Sequence, residues 1–150
     1  MTLFLVAIFF VLLDQELKVF ALAGLAGGKI SLIKGLLAFN LTKNPYIAFS
    51  LPLAGFWLNL GIFLILAFIL AIILKNCRRP GLNSAFLFFI FLGGLSNLID
   101  RLRFGYVIDY LDLSYFTVFN LADAMITFGV LALFYFNFRE VLAKNVKNPG

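Results

Sequence analysis

Histidine is absent from this 150-residue chain, and cysteine occurs once, as Cys77. Without histidine there is no Ser-His or Cys-His nucleophile pair, no HExxH zinc site and no histidine-ligated haem. A single cysteine permits neither an internal disulfide nor a CxxC pair. Charge is scarce as well: Asp, Glu, Lys and Arg make up 13%, about half the usual share. Hydrophobic residues reach 63% and the mean hydropathy is +1.06. Such a chain lacks the polar surface to cover a water-soluble globule. A soluble enzyme domain, a disordered chain and a nucleic-acid module are excluded together. The net charge of +5 therefore reports membrane topology rather than DNA binding.

What is present is a set of apolar runs. A hydrocarbon core about 30 Å thick needs roughly 20 apolar residues in a helix. Four segments meet that need: about 3–23, 56–74, 82–99 and 118–138. The first is interrupted by Asp14, Gln15, Glu16 and Lys18. Its Ala21-Leu22-Ala23 resembles a signal-peptide cleavage site. The run lacks a basic start and carries charge in its middle, so a retained first helix is the better reading. The expected fold is an all-α membrane protein of four transmembrane helices in one domain, 1–150. The glycine-rich, proline-broken linker 24–55 is too polar to span, and its short apolar pieces fit a small sheet or a re-entrant segment at the membrane surface.

Orientation follows from the basic residues. Lys75, Arg78 and Arg79 crowd the short loop 75–81, and Arg139, Lys144 and Lys147 oppose Glu140 in the tail. The density of positive charge in the short loop makes that side cytoplasmic, with both termini inside. Parity then collects the polar groups on the outer side. Asp14 and Lys18 lie there on the first helix, Asn97, Asp100 and Arg101 on the third, and Asn120 and Asp123 on the fourth; Asn44 and Asp109 belong to outer loops. Asp14/Lys18, Asn97/Asp100/Arg101 and Asn120/Asp123/Thr127 each have the spacing of one helix face. Polar stripes in lipid must face one another. Gly93 and Gly94 allow close helix approach just below them.

Asp123 ranks first for function, because it lies inside a span with no basic neighbour in sequence. Asp109, in an apolar loop, ranks lower on its own residues, and Asp112 lower still. Asp14–Lys18 and Asp100–Arg101 also read as structural ion pairs. Tyr106, Tyr110 and Tyr115 read as an interfacial aromatic belt. Cys77 in the basic turn is incidental. Two carboxyls in a partly dry site share one proton, so one can deprotonate water while the other donates. With histidine and cysteine excluded, an aspartic hydrolase is the natural enzyme reading. The same carboxyls could serve a transporter's ion relay, against which their one-sided clustering does not cross the membrane, or pair with a partner's helices in a non-catalytic assembly subunit.

Four patches carry a family resemblance. They are Asp14-Gln15-Glu16-Leu17-Lys18, then Asn44 through Ala48-Phe49-Ser50, then Gly93 through Arg101 continuing to Gly105-Tyr106-Val107-Ile108-Asp109-Tyr110, and finally Phe119-Asn120-Leu121-Ala122-Asp123. In order and spacing the chain resembles the bacterial lipoprotein signal peptidases (signal peptidase II). That resemblance implies four helices with a small β-rich extracytoplasmic cradle after the first. It implies an aspartyl endopeptidase of the bacterial inner membrane that requires no metal or cofactor; four spans in 150 residues could act as a monomer. Its partners would be membrane lipids and a lipid-modified prolipoprotein, cut just before a diacylglyceryl-modified cysteine. The match makes Asp109 and Asp123 the catalytic pair and raises Asp109 above its unaided rank. Asp14, Asn44, Asn97, Arg101 and Asn120 become the polar residues around pair and substrate, and Lys18 and Asp100 structural ones. Two positions depart from the family pattern: Tyr46 and Ser96 each stand where glycine is expected.

Overall fold

A computed structural model describes residues 2–24, 28–46, 54–76 and 81–147, with side chains to 143. The chain runs α1 (Thr2–Gly24), β1 (Ile30–Ile33), β2 (Leu37–Asn44), α2 (Phe56–Lys75), α3 (Leu82–Phe104), β3 (Val107–Leu113), β4 (Val118–Phe119) and α4 (Leu121–Lys147). It is mostly helical with one small sheet. The helices α2, α3 and residues 121–143 of α4 are long and apolar enough to cross a membrane, with mean hydropathies of 2.8, 1.8 and 1.6. α1 matches them in length but carries Asp14, Glu16 and Lys18. Phe63, Leu64, Ile65 and Phe68 of α2 point outward, which acyl chains accept and water does not.

α3 is the central helix, packed against α1, α2 and α4. Small residues set how closely. A Cβ on Gly93 would stand 2.6 Å from the backbone oxygen of Ala122, and one on Gly94 2.8 Å from Leu66 Cδ2. Both glycines thus act as expected. Gly129, which the sequence reading did not single out, does the same from α4: its Cβ would lie 2.8 Å from the Phe86 oxygen. Gly93→Ala should force α3 and α4 apart at a contact where backbone cannot yield. We expect a loss of about 1–3 kcal/mol, measured as a lower melting temperature in detergent.

The sheet is antiparallel with order β1-β2-β3-β4. It differs from a cradle built only from the linker after the first helix. Half of it, β3 and β4, comes from residues beyond the third expected helix, and β4 from the first two residues of the expected fourth. The long β2–β3 ladder, Leu37↔Leu113 to Asn44↔Val107, welds the two linkers together. α3 also runs five residues past the expected 99, to Phe104, and closes on Gly105 in the left-handed region at φ 82°. α4 starts later than the expected 118, because Val118 and Phe119 pair with β3. Asn120 is then its cap: the Asn120 side chain accepts the Asp123 N–H at 2.9 Å, while Asp123 Oδ2 accepts the Asn120 N–H at 3.3 Å. That reciprocal pair is a capping box, and it puts Asp123 in the first turn. Two apolar clusters hold the layers. Ala21, Phe39, Ile108 and Tyr110 fasten the sheet to α1, so Ala21 is a core residue of a continuous helix. Ala7, Phe89 and Met125 join α1, α3 and α4 deeper down. Ala48-Phe49-Ser50, Cys77, Arg78 and Arg79 lie outside the described residues, as do the side chains of Lys144 and Lys147.

Candidate active site

The polar stripes meet where the helices end under the sheet. They form two compartments rather than one. On α3, Ser96 and Asp100 turn toward α1, while Asn97 and Arg101 turn toward a cavity bounded by β3, β4 and α4. The single face expected for Asn97, Asp100 and Arg101 is therefore divided, because neighbouring positions on a helix diverge by about 100°.

The inner compartment is dry. Asp14 is 0% exposed, and Lys18 and Asp100 are each 1% exposed. The Lys18 ammonium lies 2.7 Å from Asp14 Oδ2 and 2.8 Å from Asp100 Oδ2. It also lies 3.1 Å from both Ser96 Oγ and Asn97 Oδ1. Ser96 Oγ accepts from Gln15 at 2.7 Å and donates to Asp14 at 2.6 Å. The residue standing in place of glycine is thus the hub of the α1–α3 contact. Two carboxylates around one ammonium leave a net negative charge. The N-terminus of α4 answers it: Asp14 Oδ1 accepts the Ala122 N–H at 3.1 Å and the Tyr110 hydroxyl at 2.9 Å. Tyr110 in turn accepts the Leu121 N–H at 3.1 Å. Helix-terminal N–H groups need such acceptors. Tyr110 is therefore not part of an aromatic belt: it is 0% exposed, and burial with the neighbouring Asp14 charge pushes its phenol well above the usual range. Tyr110→Phe should cost about 1–2 kcal/mol by leaving the Leu121 N–H without this acceptor and taking one donor from Asp14, read as a drop in melting temperature.

The outer compartment is a cavity of about 640 Å³. Asn44, Asn97, Arg101, Asp109 and Asp123 line its polar end, and Phe116, Phe119, Ile126, Phe128 and Leu131 its apolar end. Asp109 enters from β3, where Thr42↔Asp109 pairing fixes its face. Its Oδ1 accepts from Asn120 at 2.9 Å and its Oδ2 from Asn44 at 3.0 Å. Asp123 Oδ1 accepts from Asn97 at 2.8 Å. Asn120 also donates to Asn97 Oδ1 at 3.0 Å, joining both carboxyls in one network. Burial, and then the neighbouring Asp123 charge, push the Asp109 carboxyl up to about 7. Arg101 donates to the Tyr46 carbonyl at 3.0 Å and to the Asn97 carbonyl at 3.3 Å. Its buried Nε has no partner among the described residues.

Nearly every residue singled out from the sequence is thus in one of the two compartments. Asp14, Lys18 and Asp100 support the site from behind rather than facing the cavity. Asp112 stays outside both, tied to Lys29 at 2.7 Å and Asn40 at 3.1 Å, bonds that hold its carboxyl below the usual range. Ser96 and Tyr110 are the residues whose part the sequence reading missed. Ser96 stands four residues before Asp100 and so shares its face, which was the available signal.

The chain is similar to known proteins. A family model described as Signal peptidase (SPase) II matches residues 6–139. The lipoprotein signal peptidase of Halothermothrix orenii is 31% identical over 138 residues, covering 91% of this chain and 95% of that one. The lipoprotein signal peptidase of Enterococcus faecalis is 32% identical over 151 residues, covering 97% and 93%. A solved bacterial membrane enzyme superposes with a TM-score of 0.78 at 26% identity, covering 99% of this chain and 92% of its own. With the family match running through both compartments and relatives spanning nearly the whole length, this bacterial membrane protein belongs to the signal peptidase II family.

Proposed function

We propose that the chain is a four-span aspartic endopeptidase that removes signal peptides from prolipoproteins, cutting just before a diacylglyceryl-modified cysteine. The observation that carries the chemistry is two carboxyls, Asp109 and Asp123, on one cavity wall and joined through Asn120 and Asn97. Close carboxyls that are poorly solvated hold one proton between them. A water seated between them loses a proton to the ionised carboxyl and attacks the scissile carbonyl. The protonated carboxyl donates to the carbonyl oxygen as charge develops there. Arg101 and the amide of Asn44, both on the cavity lining, are donors for the substrate backbone. The apolar end of the cavity, along Ile126, Phe128 and Leu131 of α4, suits hydrocarbon. Family membership supports the substrate class.

On this reading α1 is the fourth span, since its three charged residues are not laid against lipid in equal measure. Asp14 and Lys18 are buried against α3, and only Glu16 is exposed. Both termini are then cytoplasmic, the sheet and pair lie on the extracytoplasmic side, and one domain acts as a monomer. The test is cleavage of a diacylglyceryl-modified prolipoprotein by the purified chain in detergent, beside the same protein without its lipid. Cutting only of the lipidated substrate is expected; equal cutting of both would sink the substrate assignment. Activity should fall as pH rises through about 7, where the pair gives up its shared proton and becomes doubly ionised. A kcat profile still rising at pH 8 would contradict a proton on the pair.

A further inference from the structure

If Asp109 and Asp123 share one proton, as the aspartic reading requires, either could hold it. Two groups that can only donate decide which way the neighbouring amides point. The Lys18 ammonium lies 3.1 Å from Asn97, so the atom it meets is the carbonyl oxygen. The Asn97 NH2 is left facing Asp123 at 2.8 Å. The Asp123 backbone N–H meets Asn120 at 2.9 Å, so that atom is also an oxygen, and the Asn120 NH2 is left facing Asp109 at 2.9 Å. Neither amide can turn over without setting donor against donor.

The surroundings of the two carboxyls differ. Asp123 stands in the first turn of the 27-residue α4. There it accepts the backbone N–H of Asn120 at 3.3 Å and faces the positive end of the helix. Its other oxygen takes the amide that Lys18 has locked. Asp109 sits on a strand and is 2% exposed. Its partners are two side-chain amides, one of them Asn44 at the cavity. Among the described residues, the titratable groups facing the pair are Lys18 and Asp14 from α1, Asp100 and Arg101 from α3, and Tyr110 from β3; β2 offers the neutral Asn44. Lys18 makes its amide contact with Asn97, the partner of Asp123.

We propose that Asp123 holds the negative charge and activates the water, that Asp109 holds the proton, and that Asn97, locked by Lys18, is the positioning residue that maintains this division. Asp123 removes a proton from water as the water oxygen bonds to the scissile carbon. The carbonyl oxygen takes the proton of Asp109. The C–N bond then breaks as the proton on Asp123 passes to the leaving nitrogen. One hydroxyl of the tetrahedral carbon returns its proton to Asp109 as the carboxyl product forms. One water is consumed and both aspartates end as they began.

The test is the kcat–pH profile of the full chain at saturating lipidated substrate, for the wild type, Asn97→Ala and Asn44→Ala. Losing one hydrogen bond to a charged group should move the affected limb by about one pH unit. Asn97→Ala is expected to raise the acid limb, which reports Asp123. Asn44→Ala is expected to raise the alkaline limb, which reports Asp109. The opposite pattern, equal movement of both limbs, or no movement would each overturn the assignment. Should Asn97→Ala not fold, Asn44→Ala alone decides, since movement of its acid limb is enough to refute. Failure of the aspartic reading itself looks different: Asp109→Asn or Asp123→Asn would go on cutting.

Discussion

Asp109→Asn and Asp123→Asn should each lower kcat for lipidated prolipoprotein by about 10³-fold, within the range that general acid–base groups contribute. Each substitution keeps the shape of the side chain and removes its titration. The structural cost is small but not zero. Both oxygens of Asp109 accept hydrogen bonds, and so do both oxygens of Asp123. An amide therefore sets one NH2 against a donor in either place, at about 1–2 kcal/mol. Melting in detergent separates that loss from the catalytic one: a folded but inactive variant is the expected outcome at both positions. A variant retaining more than a tenth of wild-type kcat would remove that aspartate from the chemistry. Asp112→Asn is the control. Its carboxyl lies outside the cavity against Lys29 and Asn40, so cleavage should persist.

Lys18→Met should be the most damaging change to the fold, at about 3–5 kcal/mol. Methionine fills the space and removes the cation that lies between Asp14 and Asp100, both nearly inaccessible to water. Among the described residues, the two carboxylates would then keep the Ser96 and Tyr110 hydroxyls and the N–H groups of Ala122 and Ile108 for partners. We expect poor folded yield and a large fall in melting temperature, with cleavage lost in proportion to folded protein. A melting temperature equal to that of the wild type would mean the triad carries no net stability. Ser96→Gly, which restores the residue the family pattern expects, should cost far less. Lys18 keeps both carboxylates, while Gln15, Lys18 and Asp14 each lose only their hydrogen bond to the hydroxyl.

Much of this molecule is legible along the chain because lipid simplifies the rules. Apolar runs longer than the hydrocarbon thickness must be helices, since no water is there to satisfy open backbone groups. Counting spans then collects the ionisable residues at one end without any coordinates. That is why Asp14, Lys18, Asn97, Asp100, Arg101, Asn120 and Asp123 could be grouped before the fold was seen, and why Gly93 and Gly94 could be placed at a close helix contact. The pairing of Asp109 with Asp123 was a matter of resemblance. In sequence Asp109 is one acid in an apolar stretch, ranked above Asp112 on its neighbours but below Asp123.

The tertiary structure decided the rest, for reasons that no window of sequence contains. Strand pairing is non-local: β2 and β3 come from linkers on either side of the α2–α3 pair, and their register aims Asp109 at the cavity and Asp112 away from it. The same ladder ends at β4, which delays α4 until Asn120 and so sets Asp123 at the first turn. The division of α3 into a dry face and a cavity face depends on which neighbour each side meets, so Ser96 and Asp100 went to α1 while Asn97 and Arg101 went to the site. Composition and periodicity alone determined that this is a membrane bundle with its polar residues at one end. Which of those residues hold the fold and which face the cavity was left to contacts between segments distant in sequence, because a buried charge is defined by the partner opposite it and not by its neighbours along the chain.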